Sequence, residues 1–316
     1  MAGKRLKVAV QMDPLEGINI EADSSFALME EAQKRGHALY YYPPRALAFR
    51  EGKVAALARE VTVRRVKGDH FDAGPEQPLD LAAMDVVWLR QDPPFDMAYI
   101  TTTHILEMLQ PEVLVVNDPA SVRNAPEKLF VTRFSHLMPP TLIAHRKDDI
   151  LAFRARHKDI VLKPLYGNGG AGVFHVPPGD ENLNALLEMF TQFYKEPIIV
   201  QKYIPSVREG DKRIILVDGE IAGGFTRVPA KGEARSNLHV GGTAQKSSLT
   251  AREREICASV GPELKRRGLV FTGIDVAGDY LLVINVTSPT GLQELDRFNG
   301  TNTSGKIWDA VEARRA

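Results

Sequence analysis

The stretch that most constrains this chain is Asp159–Val176, DIVLKPLYGNGGAGVFHV. An apolar run, Ile160-Val161-Leu162, carries Lys163-Pro164 toward four glycines within six residues (Gly167, Gly169, Gly170 and Gly172), and Val173–Val176 follows as a second apolar run. The spacing matches G-x-G-x-x-G, but a dinucleotide fingerprint needs a helix directly after its glycines. Here the following residues are short, β-prone and closed by Pro177-Pro178, so the unit reads as strand–loop–strand. Such a loop can fold over phosphates and offer them backbone N–H groups, with Lys163 directing a positive charge at the same place. A plain hairpin tip with a surface lysine has the same pattern, so the rest of the chain must decide.

With 316 residues, 44% of them apolar, the chain is long enough for two or three compact units with real cores. Forty basic residues balance forty acidic ones, which argues against a nucleic-acid or anionic-membrane partner. The single cysteine, Cys257, excludes an internal disulfide framework and a cysteine zinc site. It falls among Ile256, Val260 and Leu264 at helical spacing, the place of a reduced core residue. The eight histidines contain no H-x-x-x-H pair, which argues against a zinc centre. MAGKRLKVAVQMD at the start has too short an apolar run for a signal peptide, and no run approaches the ~20 residues that cross a bilayer. A soluble cytoplasmic protein is expected.

Lys7–Met12 reads as a buried first strand ending at Asp13-Pro14, followed by a helix capped at Asp23 or Ser24 and stopped by Gly36. His37–Tyr42, Val86–Leu89 and Val113–Val116 are further strands, and Tyr99–Met108 is a helix. This alternation predicts a parallel open sheet, whose ligands bind at the strand C-terminal ends. One such end carries Arg90-Gln91-Asp92-Pro93-Pro94-Phe95-Asp96, a loop suited to a small zwitterion with Arg90 on its carboxylate. Beyond Arg123 the pattern changes. A helix is expected over Ala125–Phe134, short strands lead to the glycine loop, Glu181–Tyr194 is an amphipathic helix and Ile198–Ile204 a strand. Arg213–Val217 and Ile221–Val228 flank the two-residue turn Asp218-Gly219. Residues 229–244 form a long polar, glycine-rich loop, a candidate lid. Thr250 and Glu253 make a capping box on a helix that stops at Gly268, and Val270–Val276 with Leu281–Val286 form a last hairpin.

In these pieces the chain resembles the ATP-grasp ligases, specifically the bacterial glutathione synthetase family, over essentially its whole length. The resemblance rests on MDP at 12–14, DSSFALM at 23–29, R-x-DPPFD at 90–96, NAPEKLF at 124–130 and LKPLYGNGGAGVF at 162–174. It continues in GDKRIILVDGE at 210–220, GIDVAGDYL at 273–281 and INVTSPTG at 284–291. It implies an α/β fold with an N-terminal parallel-sheet domain (1–122), then a two-lobed α+β ATP-grasp module: lobe 1 with the glycine loop (123–205), lobe 2 with the lid and metal hairpin (206–316). The implied reaction joins γ-glutamylcysteine to glycine with ATP and Mg²⁺ through an acyl phosphate. By motif match Lys128 and Lys163 would hold phosphates, with Lys212 nearby, while Gly167, Asn168, Gly169, Gly170 and Gly172 close over them. Gln201, Lys202, Tyr203 and Ile204 would frame the adenine with backbone groups. Arg213 and Arg227 would balance charge at the reacting centre, and Arg235 and Asn237 would lie on the lid that keeps water from the acyl phosphate. Asp13, Ser25, Arg90 and Asp92 fit the γ-glutamylcysteine side; Ser288, Thr290 and Gly291 the acceptor's carboxylate. The family also suggests a homodimer or homotetramer.

One position departs from the pattern. The family holds Mg²⁺ with an acid on one strand of the last hairpin and Glu-x-Asn on the other. Asp275 and Asn285 are in place, but the glutamate position is Val283. Valine offers no oxygen to an ion that demands near-octahedral oxygen ligands. Three outcomes are open: water and Asp275 complete the shell in a slower enzyme, Asp279 compensates from the turn, or the chain binds nucleotide with weak or no turnover. A related ligase with different peptide specificity is a further alternative.

Overall fold

The apolar runs near the N-terminus become the centre of the first sheet in the computed structural model, which describes residues 4–167, 169–232, 235–236 and 241–315. Strands Ala38–Tyr42, Lys7–Met12, Val86–Arg90 and Leu114–Val116 lie parallel in that order. All five residues of Val86–Arg90 are buried, as in a strand covered on both faces. Beyond Ala38–Tyr42 the sheet turns antiparallel. Lys53–Val63 pairs there, and Leu47–Arg50, Phe71–Ala73 and Gln77–Asp80 pair with it in turn. The sheet is therefore mixed rather than purely parallel. Asp23 caps helix Ser24–Lys34 by accepting from the Phe26 amide at 2.6 Å, and Asp96 caps Met97–Glu107 through the Tyr99 amide at 3.0 Å.

The second sheet is antiparallel, in the order Phe174–Val176, Ile160–Pro164, Ile198–Lys202, Thr141–Ala144. Ile160 pairs with Val176 and Leu162 with Phe174, so the glycine run ties two neighbouring strands and opens no helix. Helices Lys147–His157 and Leu183–Phe193 cover the sheet through Ile150, Leu187 and Phe190. Two expected elements are shorter than their sequence pattern. The strand ends at Lys202 rather than Ile204. The helix expected over Ala125–Phe134 is α-helical only over Glu127–Phe130; Val131–Leu137 tightens into a 3₁₀ stretch in which Phe134 leaves helical dihedrals (φ −113°, ψ 42°).

The third sheet, also antiparallel, runs Thr243–Lys246, Glu220–Val228, Asp211–Val217, Phe271–Ala277, Tyr280–Asn285. Asp218 and Gly219 both take positive φ (51° and 81°), the mirror-image turn that a two-residue hairpin loop favours. A Cβ on Gly219 would lie 2.4 Å from the Gly261 carbonyl oxygen of helix Ala251–Arg266, so this approach requires glycine. Both hydrogen bonds of the Thr250–Glu253 capping box are formed.

The first and third sheets share their cores: Val8 and Trp88 belong to one cluster with Ile215, Phe225 and Phe271. The second sheet keeps a core of its own, built between Leu142 and Val200. Asn117, at the end of strand Leu114–Val116, clamps the first sheet to the third. Its Nδ2 donates to the Phe271 and Val286 carbonyls at 2.7 and 2.8 Å, and its Oδ1 accepts from the Phe271 amide at 2.9 Å. The last helix, Thr303–Ala313, returns to the first sheet. Trp308 Nε1 donates to the Leu28 carbonyl at 2.8 Å, its ring meets Trp88 edge-on at 5.6 Å, and Glu312 pairs with Arg35 and His37.

Candidate active site

A cavity of about 860 Å³ opens where the three sheets meet. On one side stands strand Ile160–Pro164, whose alternation sends Ile160 and Leu162 into the core and leaves Lys163 toward the cavity. Lys163 Nζ donates to Gln201 Oε1 at 2.7 Å, and Gln201, itself buried, donates on to Thr141 Oγ1 at 3.0 Å. Lys128 reaches the same place from helix Glu127–Phe130 and donates to the carbonyls of Leu165 and Gly167. Burial, then the neighbouring Lys128, brings the Lys163 ammonium down to about 8; burial also lowers Lys128. The two ammonium groups disfavour one another's charge out of water, and a polyphosphate anion would relieve that. The glycines allow close approach. A Cβ on Gly167 would lie 2.5 Å from Pro164 Cγ, and Gly172 sits at φ +69° with Pro164 and Tyr194 3.1–3.2 Å from where its Cβ would be. Gly169 and Gly170 also line the cavity, and Arg235 Nη1 reaches across to the Gly170 carbonyl at 3.3 Å. Asn168 and Asn237 lie outside the described residues.

Gln201, Lys202, Tyr203 and Ile204 all line the cavity. The N–H groups of Lys202 and Tyr203 are already paired with the carbonyls of Pro140 and Asp159, at 2.9 and 3.0 Å, so these two donors are not free for a purine edge. The Tyr203 ring stacks on His175 at 4.0 Å.

Across the cavity, antiparallel register brings opposite charges face to face: Asp211 pairs with Arg227, and Arg213 with Asp275. Arg213 grips Asp275 with Nε and Nη2 at 2.6 and 3.2 Å; Arg227 grips Asp211 at 2.5 and 2.9 Å and reaches Asp275 at 3.0 Å. All four are buried. Burial alone would raise the Asp275 carboxyl, but the two arginines outweigh it and hold the group down at about 2. Lys212, on the same strand as Asp211 and Arg213, stands apart from these four. The period of two that turns 211 and 213 inward turns it away, and its Nζ donates to Ser247 Oγ and the Ser248 carbonyl at 2.8 and 2.9 Å. Val283 stands opposite Asp275 in the register of the last hairpin, and Asn285 Nδ2 donates to the Gly273 carbonyl at 3.1 Å. Among the described residues no group of three or more His, Cys, Asp and Glu side chains is placed to hold a metal ion.

The third wall comes from the first sheet. Arg90, buried at the end of its strand, donates from Nε to Ser25 Oγ at 2.9 Å and from Nη2 to the Pro289 carbonyl at 3.0 Å. Its Nη1 is buried without a partner among the described residues. The Asp13 carboxylate accepts from the Asp92 amide at 2.8 Å, so Asp13, Ser25, Arg90 and Asp92 form one corner. Ser288, Thr290 and Gly291 face it, and Arg213 Nη1 holds the Thr290 carbonyl at 3.1 Å. Sequence reasoning passed over Asp211, Glu127 and Glu294, all on the cavity wall. Asp211 was readable as an acid two positions before Arg213, on the same strand face. Glu294, third residue of helix Leu292–Asn299, was readable as an acid in a helix's first turn.

Two family models cover nearly all of the chain: "Prokaryotic glutathione synthetase, N-terminal domain" over residues 6–123, and "Prokaryotic glutathione synthetase, ATP-grasp domain" over residues 127–300. The chain belongs to the prokaryotic glutathione synthetase family. ATP-grasp enzymes of this kind use ATP and magnesium. Among curated relatives, the glutathione synthetases of Brucella melitensis and Mesorhizobium japonicum are 59% and 58% identical to it, each match covering 98% of this chain and 99% of the relative. Among solved structures, the D-cycloserine synthetase DcsG aligns over 98% of this chain and 100% of its own, with a TM-score of 0.69 at 14% identity. The ATP-grasp ligase PsnB complexed with a precursor variant, Mg and ADP aligns over 99% of both chains, with a TM-score of 0.63 at 17% identity. These two share the fold with this family.

Proposed function

We infer that the chain is a glutathione synthetase: it joins γ-glutamylcysteine to glycine and converts ATP to ADP and phosphate. The observation that carries this is identity of 56–59% with curated glutathione synthetases along nearly the full chain. A carboxylate is a poor acylating agent, so the cysteinyl carboxylate first takes the γ-phosphoryl group of ATP, and the glycine amine then attacks the acyl phosphate. Lys128, Lys163 and the glycine loop hold the phosphates; Arg213 and Arg227 face the charge that moves between nucleotide and peptide. Arg90, whose Nη1 has no hydrogen-bond partner among the described residues, binds a carboxylate of γ-glutamylcysteine beside Asp13, Ser25 and Asp92. Ser288, Thr290 and Gly291 receive the glycine carboxylate, and Arg235 reaches the Gly170 carbonyl of the glycine loop. We take the units as 1–122, 123–205 and 206–316, working in the cytoplasm where ATP is made, as a homodimer or homotetramer.

The magnesium site is where this chain and its family part. Asp275 and Asn285 are the donors left on the last hairpin; Asp275 is engaged by two arginines, and Val283 fills the remaining position with hydrocarbon. This set does not make an octahedral oxygen cage, and no step above passes through the metal. Val283 favours a second reading, a nucleotide-binding protein with weak turnover. One experiment separates the two: phosphate release with ATP, Mg²⁺, γ-glutamylcysteine and glycine, omitting each in turn. Release that requires γ-glutamylcysteine, glycine and ATP supports the ligase. Bound ATP without release supports the second reading.

A further inference from the structure

Glu294 is a buried acid that nothing above employs. It lies at the third position of helix Leu292–Asn299, directly after the Ser288–Gly291 loop, and lines the cavity with Phe225, Thr290 and Arg213. Its side chain is 8% exposed. Its own backbone N–H supports the carboxylate, yet Oε2 is buried with no hydrogen-bond partner among the described residues. Arg297, the cation within ion-pair range, stands 3.9 Å away with 60% of its side chain in solvent. Burial raises the Glu294 carboxyl above its ordinary range, against the pull of Arg297 and Arg213. A carboxylate oxygen withdrawn from water and left without a donor is costly, and a bound ammonium relieves the cost.

Resting on the ligase reading, we propose that Glu294 receives the ammonium group of the amino-acid acceptor and takes its first proton. On that reading the acceptor's carboxylate is held by Ser288, Thr290 and Gly291, the loop that runs directly into this helix, and all line the same cavity as Glu294. Glycine arrives as an ammonium, which has no lone pair for attack. Transfer of one proton to Glu294 Oε2 frees that pair. The N–C bond forms at the acyl-phosphate carbonyl, the C–O bond to phosphorus's oxygen breaks, and phosphate leaves with that electron pair. The second nitrogen proton goes with it as hydrogen phosphate, and Glu294 returns the first to solvent on product release.

The test compares the full chain with its Glu294→Gln variant, using ATP, Mg²⁺ and γ-glutamylcysteine with either glycine or hydroxylamine, a nucleophile already uncharged at neutral pH. Glycine-dependent ADP release should fall roughly 10²-fold in the variant, the usual contribution of a general base, while hydroxamate formation stays within about threefold. Equal loss with both nucleophiles, or loss with neither, overturns the proposal. A calorimetric arm needs no turnover. With ADP and γ-glutamylcysteine bound, the variant should bind glycine about tenfold more weakly and acetate, which lacks the ammonium, unchanged. Equal glycine affinity in the two proteins overturns the proposal and leaves the ligase reading standing. Failure of both proteins to bind γ-glutamylcysteine overturns the reading itself, and the proposal with it.

Discussion

With ATP phosphates at Lys163, as proposed, nucleotide binding becomes a proton-uptake reaction. In the free protein its ammonium titrates at about 8, because burial and Lys128 both disfavour the charge. A polyphosphate at Nζ reverses the balance and returns the group to the ordinary lysine range. From a free-state value of about 8, ATP binding takes up about a tenth of a proton at pH 7, half at pH 8 and nine-tenths at pH 9. The charged form binds, so apparent affinity is nearly flat below pH 7 and falls roughly tenfold between pH 7 and pH 9. Calorimetry at pH 8 in two buffers of different ionisation enthalpy reads the proton directly. Lys163→Met should cut the uptake sharply and flatten affinity against pH, leaving only what Lys128, also lowered by burial, contributes. Absence of uptake in the parent protein, or equal uptake in the methionine variant, refutes the reasoning.

Val283→Glu places a second carboxylate opposite Asp275, and the Mg²⁺-dependent gain in ADP affinity should rise by about tenfold or more; an unchanged gain would mean that the site has adapted to valine. Asp211→Asn removes one of two acids that neutralise buried Arg227, and should cost about 3 kcal/mol in urea unfolding without nucleotide. A cost under about 1 kcal/mol would show that Asp275 alone suffices to hold that arginine. Trp308→Ala empties a fully buried site and breaks the bond to Leu28, with an expected cost of about 3–5 kcal/mol. Unaltered unfolding in that variant would show that the last helix is not part of the cooperative unit.

What the sequence revealed were features decided by neighbours along the chain. The Asp218-Gly219 turn, the Thr250–Glu253 cap and the strand–loop–strand character of 159–176 each depend on a few adjacent residues, and each formed as expected. Strands between Leu47 and Asp80 were obscured because inward positions such as Ala56 and Ala58 are too small to mark a buried face. Lys212 lies between Asp211 and Arg213, and the strand's period of two turns it to the other face, onto Ser247 and Ser248. The Asp211–Arg227–Asp275–Arg213 cluster draws on three strands whose register no local pattern states. Glu294 was overlooked for the opposite reason: an acid near a helix start is so ordinary that only its burial and its unpaired oxygen distinguish it.

Asn117 has a mechanical consequence. Three hydrogen bonds from one side chain, with a core shared across the joint, tie the first sheet to the sheet of arginines as one piece. The lobe around residues 141–202 packs on a core of its own. A shift of that lobe would therefore leave the joint between the other two sheets intact.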